Sequence, residues 1–168
     1  MINALRTPSD YRRYFEDIAT SLKAIGHSSD ERHFFRTIDE FTGTNIKYPA
    51  MVYIMEPSRL TDNKSDNLIK ISVVQLWILM DCSLDDVERQ LDIYDQAEEI
   101  CTDILSFILK DVEDVNSGPQ NRRIFGFDPG GISWVDMYHK GQDNCFGMQM
   151  TIPIKNPFKI TYDPDKWL

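Results

Sequence analysis

Apolar residues recur at two different periods along the chain, and each period predicts a type of element. A spacing of three or four residues predicts helices, and strict alternation predicts strands. A first helix is predicted between Thr7, which caps it, and Gly26, which ends it. A second helix is predicted from Ser29 to Phe41. Its apolar stripe consists of Phe34, Phe35, Ile38 and Phe41.

The longest continuous pattern runs from Leu68 to Val112. It predicts a strand over Leu68–Met80, apolar on one face at its start and on both faces beyond Val74. A strand of this kind is half-exposed where it begins and covered on both sides where it ends. A helix from Ser83 to Val112 follows, with Ser83 as its predicted cap. Its predicted stripe contains Val87, Leu91, Tyr94, Cys101, Ile104, Leu105, Ile108 and Val112.

Shorter alternating segments predict the remaining strands. One lies before the long strand, at Tyr48–Met55, and a polar loop at Pro57–Asn67 joins the two. An antiparallel meander is predicted after the helix, because alternation returns between turn residues. Its strands are Arg122–Phe127, Ile132–His139 and Cys145–Ile154, with a hairpin loop at Gly141–Asn144.

These elements predict an α+β fold. We expect a mixed, mostly antiparallel sheet of four to six strands, with one long helix packed across it and helices at the N-terminus. Residues 1–154 are expected to form a single domain. Residues 155–168 are expected to form an extended C-terminal arm, because Pro157 and Pro164 interrupt them.

Composition narrows the possible functions. The chain has 168 residues, 42% of them hydrophobic, and a formal net charge of −9. A dedicated nucleic-acid binder neutralises phosphates with Lys and Arg, so this charge argues against that class. The cysteines Cys82, Cys101 and Cys145 form no CxxC pair, which favours free thiols. Neither a signal peptide nor a membrane span is indicated, so we expect a cytoplasm-like compartment.

The residues that carry chemistry are scattered. His27, His33 and His139 lie on different predicted elements, and no nucleotide-binding or hydrolase motif is present. The carboxylates Asp81, Asp85, Asp86 and Asp136 are the best enzymatic candidates. However, helix capping explains Asp85 and Asp86, and Asp136 and His139 fall on opposite strand faces. We therefore expect no catalytic, cofactor-binding or metal-binding residue.

Four segments resemble a family of small structural proteins of tailed bacteriophages and prophages. They are HSSDERHFFRTIDEF at His27–Phe41, NIKYPAMVYIMEP at Asn45–Pro57, QAEEICTDILSFILKD at Gln96–Asp111 and DNCFGMQMTIPI at Asp143–Ile154. The order of elements separately resembles the tail-terminator and neck-protein fold, in which an N-terminal helix precedes a mixed sheet crossed by a long helix. The predicted second helix and the C-terminal arm depart from the smallest members.

This resemblance implies a virion protein that forms a homo-oligomeric ring, a hexamer or a dodecamer, at the head–tail junction or at the top of the tail tube. Such a ring is assembled in the bacterial host cytoplasm and joins the portal or connector to the tail-tube protein. DNA passes through its lumen without specific binding, and no membrane or cofactor is involved. The terminator, stopper and connector roles all remain open.

Interface residues are expected in the loop, the hairpin and the arm. The candidates are Asp62, Asn63, Lys64, Gln142, Asp143, Phe158, Tyr162 and Trp167. Two alternatives come from other functional classes. One is a metal-dependent enzyme acting on phosphate esters, centred on Asp81 and Asp136. The other is a monomeric adaptor that binds one partner through Phe34 and Phe35.

Overall fold

The N-terminal helix begins where its sequence predicts but ends at Ser21, five residues before the predicted end at Gly26. The computed structural model describes residues 5–26, 32–42, 45–62, 68–113, 124, 126–127, 129–140 and 144–158. Helix α1 (Pro8–Ser21) opens with a capping box, because the Thr7 hydroxyl accepts from Asp10 N and the Asp10 carboxylate accepts from Thr7 N. These hydrogen bonds also lower the pKa of Asp10, with the Thr7 backbone as the largest cause.

The predicted second helix is wrong. Its residues form strand β1 (Arg32–Phe35) and a single helical turn, α2 (Ile38–Phe41), which Thr37 caps. Phe35 is fully buried beneath one sheet face, while Phe34 packs against the core on the other. Two consecutive aromatic residues that are buried on opposite sides require the alternation of a strand.

Seven strands pair into one mixed sheet within the described residues. The strands not yet given are β2 (Ile46–Met55), β3 (Arg59–Asp62), β4 (Leu68–Asp81), β5 (Gly126–Phe127), β6 (Ser133–Lys140) and β7 (Asn144–Phe158). Their order is β1-β2-β4-β7-β5, and β3 adds to β4 while β6 adds to β7. Only β1 and β2 are parallel. The predicted α+β class and mostly antiparallel sheet are confirmed.

Strand structure extends into two segments that are predicted to be a loop and an arm. Strand β3 lies inside the predicted loop Pro57–Asn67, where its pairing with β4 outweighs its polar composition. Strand β7 continues through Lys155 to Phe158, so the first four residues of the predicted arm belong to the sheet. The rest of the arm, and most of the predicted strand Arg122–Phe127, lie outside the described residues.

The central pair of the sheet is β4 with β7. Their register runs from Leu68 opposite Phe158 to Asp81 opposite Cys145. Gly147 is required in this pair, because a Cβ atom there would lie 1.8 Å from the carbonyl oxygen of Ile78. Every residue of β4 from Leu76 to Met80 is buried, which confirms that the strand ends covered on both faces.

One face of the sheet carries the main core. Helix α3 (Val87–Glu113) lies over β4 and β7, and α1 packs beside it over β1 and β2. The predicted cap Ser83 is wrong by one turn, because Asp86 accepts from Arg89 N at 3.0 Å and thereby occupies the cap position. At 27 residues, α3 is about 40 Å long. The opposite face carries a smaller cluster under α2, with Trp77 and Leu79 of β4.

Candidate interaction surface

Of the predicted interface residues, the structure describes Asp62 and Phe158. Asp62 and Phe158 pair with Leu68 from its two sides, so the structure brings these two predicted residues to one end of the central strands. Phe158 is 38% exposed. At the other end, Lys140 pairs with Asn144. The predicted interface residues Asn63, Lys64, Gln142, Asp143, Tyr162 and Trp167 lie outside the described residues.

A second candidate surface consists of four exposed apolar residues on β6 and α3. Trp134 and Tyr138 of β6 are 41% and 44% exposed, and Val87 and Leu91 of α3 are 62% and 60% exposed. We refer to these four residues as the α3–β6 surface. Single exposed apolar residues are ordinary, but neighbouring ones mark sites of protein contact.

The strand register places Trp134 and Tyr138 on the helix-bearing face of the sheet. Trp134 lies opposite Met150 and Tyr138 opposite Phe146, and both partners belong to the main core. Tyr138 is held in place, because its ring centroid is 4.9 Å from that of Phe146 and its hydroxyl donates to Asn144 Oδ1 at 3.0 Å. Tyr138 is therefore preorganised in this surface.

Helix α3 contributes the other half through its first turns. Tyr94 contacts Phe146, with 6.3 Å between the ring centroids. Burial raises the pKa of Tyr94, and the negative charge of Asp136 on β6 raises it further. Since residues three and four apart share a helix face, Val87 and Leu91 lie on the same flank as Tyr94, facing β6.

The predicted stripe of α3 explains why sequence reasoning missed this surface. Cys101, Ile104 and Ile108 are buried as expected. In the first turns, however, Ile93 and Ala97 are buried instead of Val87 and Leu91. Both sets have helical spacing, so periodicity alone does not distinguish the buried flank from the exposed one.

Strand β6 also has an unpaired backbone edge. Its one partner within the described residues is β7, so its outer N–H and C=O groups meet no strand there. Such an edge is a template for pairing with another chain. Asp136 and Lys140 are exposed on this strand, which supplies one charge of each sign. The surface can therefore combine apolar contact with backbone hydrogen bonds.

The enzymatic candidates are separated. Asp81 shares the sheet face of Cys145, whereas Asp136 lies opposite Met148 on the helix-bearing face, and β7 runs between their strands. His139 lies on the face opposite Asp136, as expected, and its ring packs near Phe41 and Trp77. Within the described ranges, no group of three or more His, Cys, Asp or Glu residues is arranged to hold a metal ion.

The adaptor surface predicted around Phe34 and Phe35 is not exposed. Phe35 is fully buried and Phe34 is partly buried against the main core. None of the three cysteines forms a disulfide, and Cys101 and Cys145 are buried while Cys82 is half-buried. None of the helices among the described residues has the length and apolarity needed to span a membrane.

Comparisons with known proteins add no relative. The chain matches no protein-family model, no curated protein and no solved structure.

Proposed function

We propose that this chain is a virion structural protein that forms a homo-oligomeric ring at the phage head–tail junction or at the top of the tail tube. The observation that carries the proposal is the α3–β6 surface beside an unpaired strand edge. In this proposal the ring is a hexamer or a dodecamer that joins the portal or connector to the tail-tube protein as terminator, stopper or connector. DNA passes through its lumen.

A ring needs two different patches on each subunit, one of which meets the other on the next copy. The α3–β6 surface lies along one edge of the sheet, and α1 with β1 lies along the opposite edge. Contact between opposite edges of successive subunits gives a head-to-tail assembly rather than a two-fold dimer, and it closes into a ring when the rotation between subunits divides a full turn evenly. A stable interface buries about 800 Å² on each partner, so the flanking polar residues must also take part.

The tail-terminator-like assignment has support from the order of elements. Helix α1 precedes the sheet, and α3 crosses β4 and β7 on one face. The departures are the single turn α2 and the residues that follow Ile154. In this proposal, residues 159–168 reach a neighbouring protein, and Tyr162 and Trp167 are their anchors.

The proposal predicts that one charge in the α3–β6 surface dissociates the ring. We expect Leu91→Arg and Trp134→Arg to reduce the mass in solution to that of the 19.6 kDa subunit, because each buries an unpaired guanidinium at the interface. Size-exclusion chromatography with light scattering measures the mass. Circular dichroism checks that the variants remain folded.

Phe107→Arg is the matched control. Phe107 is an exposed apolar residue of α3 at 43%, but it lines the groove towards α1 rather than the flank facing β6. This variant is expected to keep the wild-type mass. A wild-type protein that is monomeric at all concentrations contradicts the ring and favours a monomeric adaptor. Unchanged mass in both surface variants contradicts the assignment of the interface.

A further inference from the structure

A cavity of about 670 Å³ lies between the first turn of α1, the turn α2 and the end of β2. It is separate from the α3–β6 surface. Its walls combine polar and apolar groups. The residues lining it are Pro8, Ser9, Arg12, Arg36, Thr37, Ile38, Asp39, Glu40, Tyr53, Ile54 and Met55.

Two buried polar atoms that belong to residues lining this cavity have no hydrogen-bond partner among the described residues. They are Nε of Arg12 and the hydroxyl of Tyr53, and Tyr53 as a whole is 5% exposed. Buried polar groups are nearly always satisfied in folded proteins, because leaving one without a partner is costly. Two such atoms in one cavity therefore point to a ligand.

The chemistry of these atoms defines the complementary group. The Arg12 Nε–H can only donate. Burial raises the pKa of Tyr53 to about 12, and the nearby charge of Arg12 lowers it by a smaller amount. The phenol is therefore neutral near pH 7, with a proton to donate. Two neighbouring donors, one of them charged, fit an oxyanion.

The other charges of the cavity favour a single negative charge on the ligand. Arg36 is already engaged, since its guanidinium is 3.2 Å from Glu16 and its backbone N–H donates to Glu40. The carboxylates of Asp39 and Glu40 lie in the same wall. A phosphate carries up to two negative charges, so both carboxylates would repel it more strongly than they repel a carboxylate ligand, which carries one.

The end of β2 offers a backbone edge in the same cavity. Glu56 N donates to Val73 O of β4 at 2.9 Å. In an antiparallel pair, successive residues direct their backbone groups alternately towards and away from the partner strand, so the N–H and C=O of Met55 point away from β4. Strand β1 ends at Phe35, opposite Val52. Among the described residues no strand continues beside Met55, and an extended peptide could occupy that position.

We propose that this cavity binds an aspartate or glutamate side chain carried by an extended segment of a protein partner. Both atoms are covered in the free chain, so the half-buried Arg12 side chain shifts as the carboxylate accepts from Arg12 Nε and the Tyr53 hydroxyl. The flanking peptide backbone pairs with Met55, and its apolar side chains contact Ile38 and Ile54. This goes beyond the ring proposal, because the cavity and the α3–β6 surface share no residue.

The test uses a peptide and its uncharged counterpart. Ligand-observed NMR measures binding of acetyl-Val-Glu-Val-amide, acetyl-Val-Gln-Val-amide and inorganic phosphate to the full chain, whatever its oligomeric state. We expect the Glu peptide to bind at least about tenfold more tightly than the Gln peptide or phosphate, roughly the contribution of one charge-assisted contact. Tighter binding of phosphate, or equal binding of the two peptides, overturns the proposal.

Variants locate the binding to the cavity. Arg12→Gln is expected to weaken binding of the Glu peptide at least about tenfold. Arg13 is an exposed neighbour on α1, and Arg13→Gln changes the net charge equally but is expected to leave peptide binding unchanged. Tyr53→Phe removes only the hydroxyl and is expected to weaken binding while leaving the midpoint of urea denaturation unchanged or higher. Tyr94→Phe, which removes a hydroxyl outside both the cavity and the α3–β6 surface, is its control and is expected to leave binding unchanged.

A structural role for the Tyr53 hydroxyl gives a different result. In that case Tyr53→Phe lowers the denaturation midpoint and leaves peptide binding unchanged, which overturns the proposal. Unaltered binding in both Arg12→Gln and Tyr53→Phe also overturns it. In the ring, the α1–β1 edge beside the cavity contacts the next subunit, so the peptides are also tested on Leu91→Arg, in which that edge is free. Binding to this variant tests the cavity independently of the ring.

Discussion

Asn156 connects the last strand of the sheet to the first helix. It is 4% exposed, and its side-chain amide donates to Leu5 O at 2.9 Å and to Tyr11 Oη at 2.6 Å. Burial is the largest cause of the raised pKa of Tyr11. The predicted extended arm includes Asn156, because Pro157 and Pro164 interrupt that segment. Its burial is decided by a helix about 145 residues earlier in the chain.

Removing this amide should destabilise the fold. We expect Asn156→Ala to lower the free energy of unfolding by about 2–3 kcal/mol, because two buried acceptors lose their donor. Urea denaturation measures the change. Gln149→Ala, a half-buried position on the same strand, is the control and should cost less than about 1 kcal/mol. Equal effects of the two variants would contradict a structural role for Asn156.

Cys101 should make stability depend on alkaline pH. Burial raises the pKa of its thiol to about 12, from an ordinary value of 9.0, and the charge of Glu98 contributes less. The native thiol remains neutral while the unfolded thiol ionises. The stabilisation is therefore complete below pH 9 and is lost as the pH rises towards 12.

The expected loss from Cys101 between pH 9 and pH 11 is about 2 kcal/mol. Urea denaturation at several pH values measures it, with Cys101→Ala as the comparison. That variant should lose less stability over the same interval, because the titrating thiol is absent. Parallel pH profiles for the two proteins would contradict the assignment.

At the scale of elements, the C-terminal segment has two parts. Lys155 to Phe158 pair with β4 from Ile71 to Leu68, whereas residues 159–168 follow the last described strand. A deletion that starts at Lys155 therefore removes sheet pairing and the buried Asn156. A test of the arm in assembly must start after Phe158.

We expect deletion of residues 159–168 to leave a folded subunit and to weaken assembly, because the aromatic anchors Tyr162 and Trp167 are lost. The concentration at which the oligomer dissociates, followed by light scattering, should rise at least about tenfold. Deletion of residues 155–168 is the contrast and should also reduce thermal stability. An unchanged dissociation concentration after the shorter deletion would exclude the arm from the interface.

Sequence patterns predicted the longest elements well and the short ones poorly. The strand from Leu68 and the helix through Val112 are long enough for their periodicities to be unambiguous. Helix α1 was also predictable, because Thr7 and Asp10 form a local signal. Strands β1 and β3 have only four residues each, so pairing with β2 and β4 decides their structure.

The candidate interaction surface was only partly predictable. Alternation correctly placed Trp134 and Tyr138 on one face of a strand, but it carries no information on whether a helix covers that face. Coverage depends on where α3 crosses the sheet, which is a tertiary property. The cavity was not predictable for the same reason, because α1, α2 and β2 meet there only in the folded chain.

For the whole molecule, charge and apolar exposure act in opposite directions. The formal net charge of −9 makes copies of the chain repel one another, which opposes association. The exposed apolar residues of β6 and α3 favour it. In the proposed ring, these two effects restrict association to the patches where apolar contact outweighs repulsion. A lumen with the same acidic character would let DNA slide past without adhering.

The position of β7 has a consequence for synthesis of the chain. This strand comes last in sequence among the described elements, yet it lies inside the sheet, between β4 and β6. On the ribosome, β4 therefore emerges without the partner that covers its longest edge, and α3 emerges without most of the surface on which it packs. The native sheet can close only after Phe158 has left the exit tunnel. Until then the apolar edge of β4 is open to chaperones and to other nascent chains.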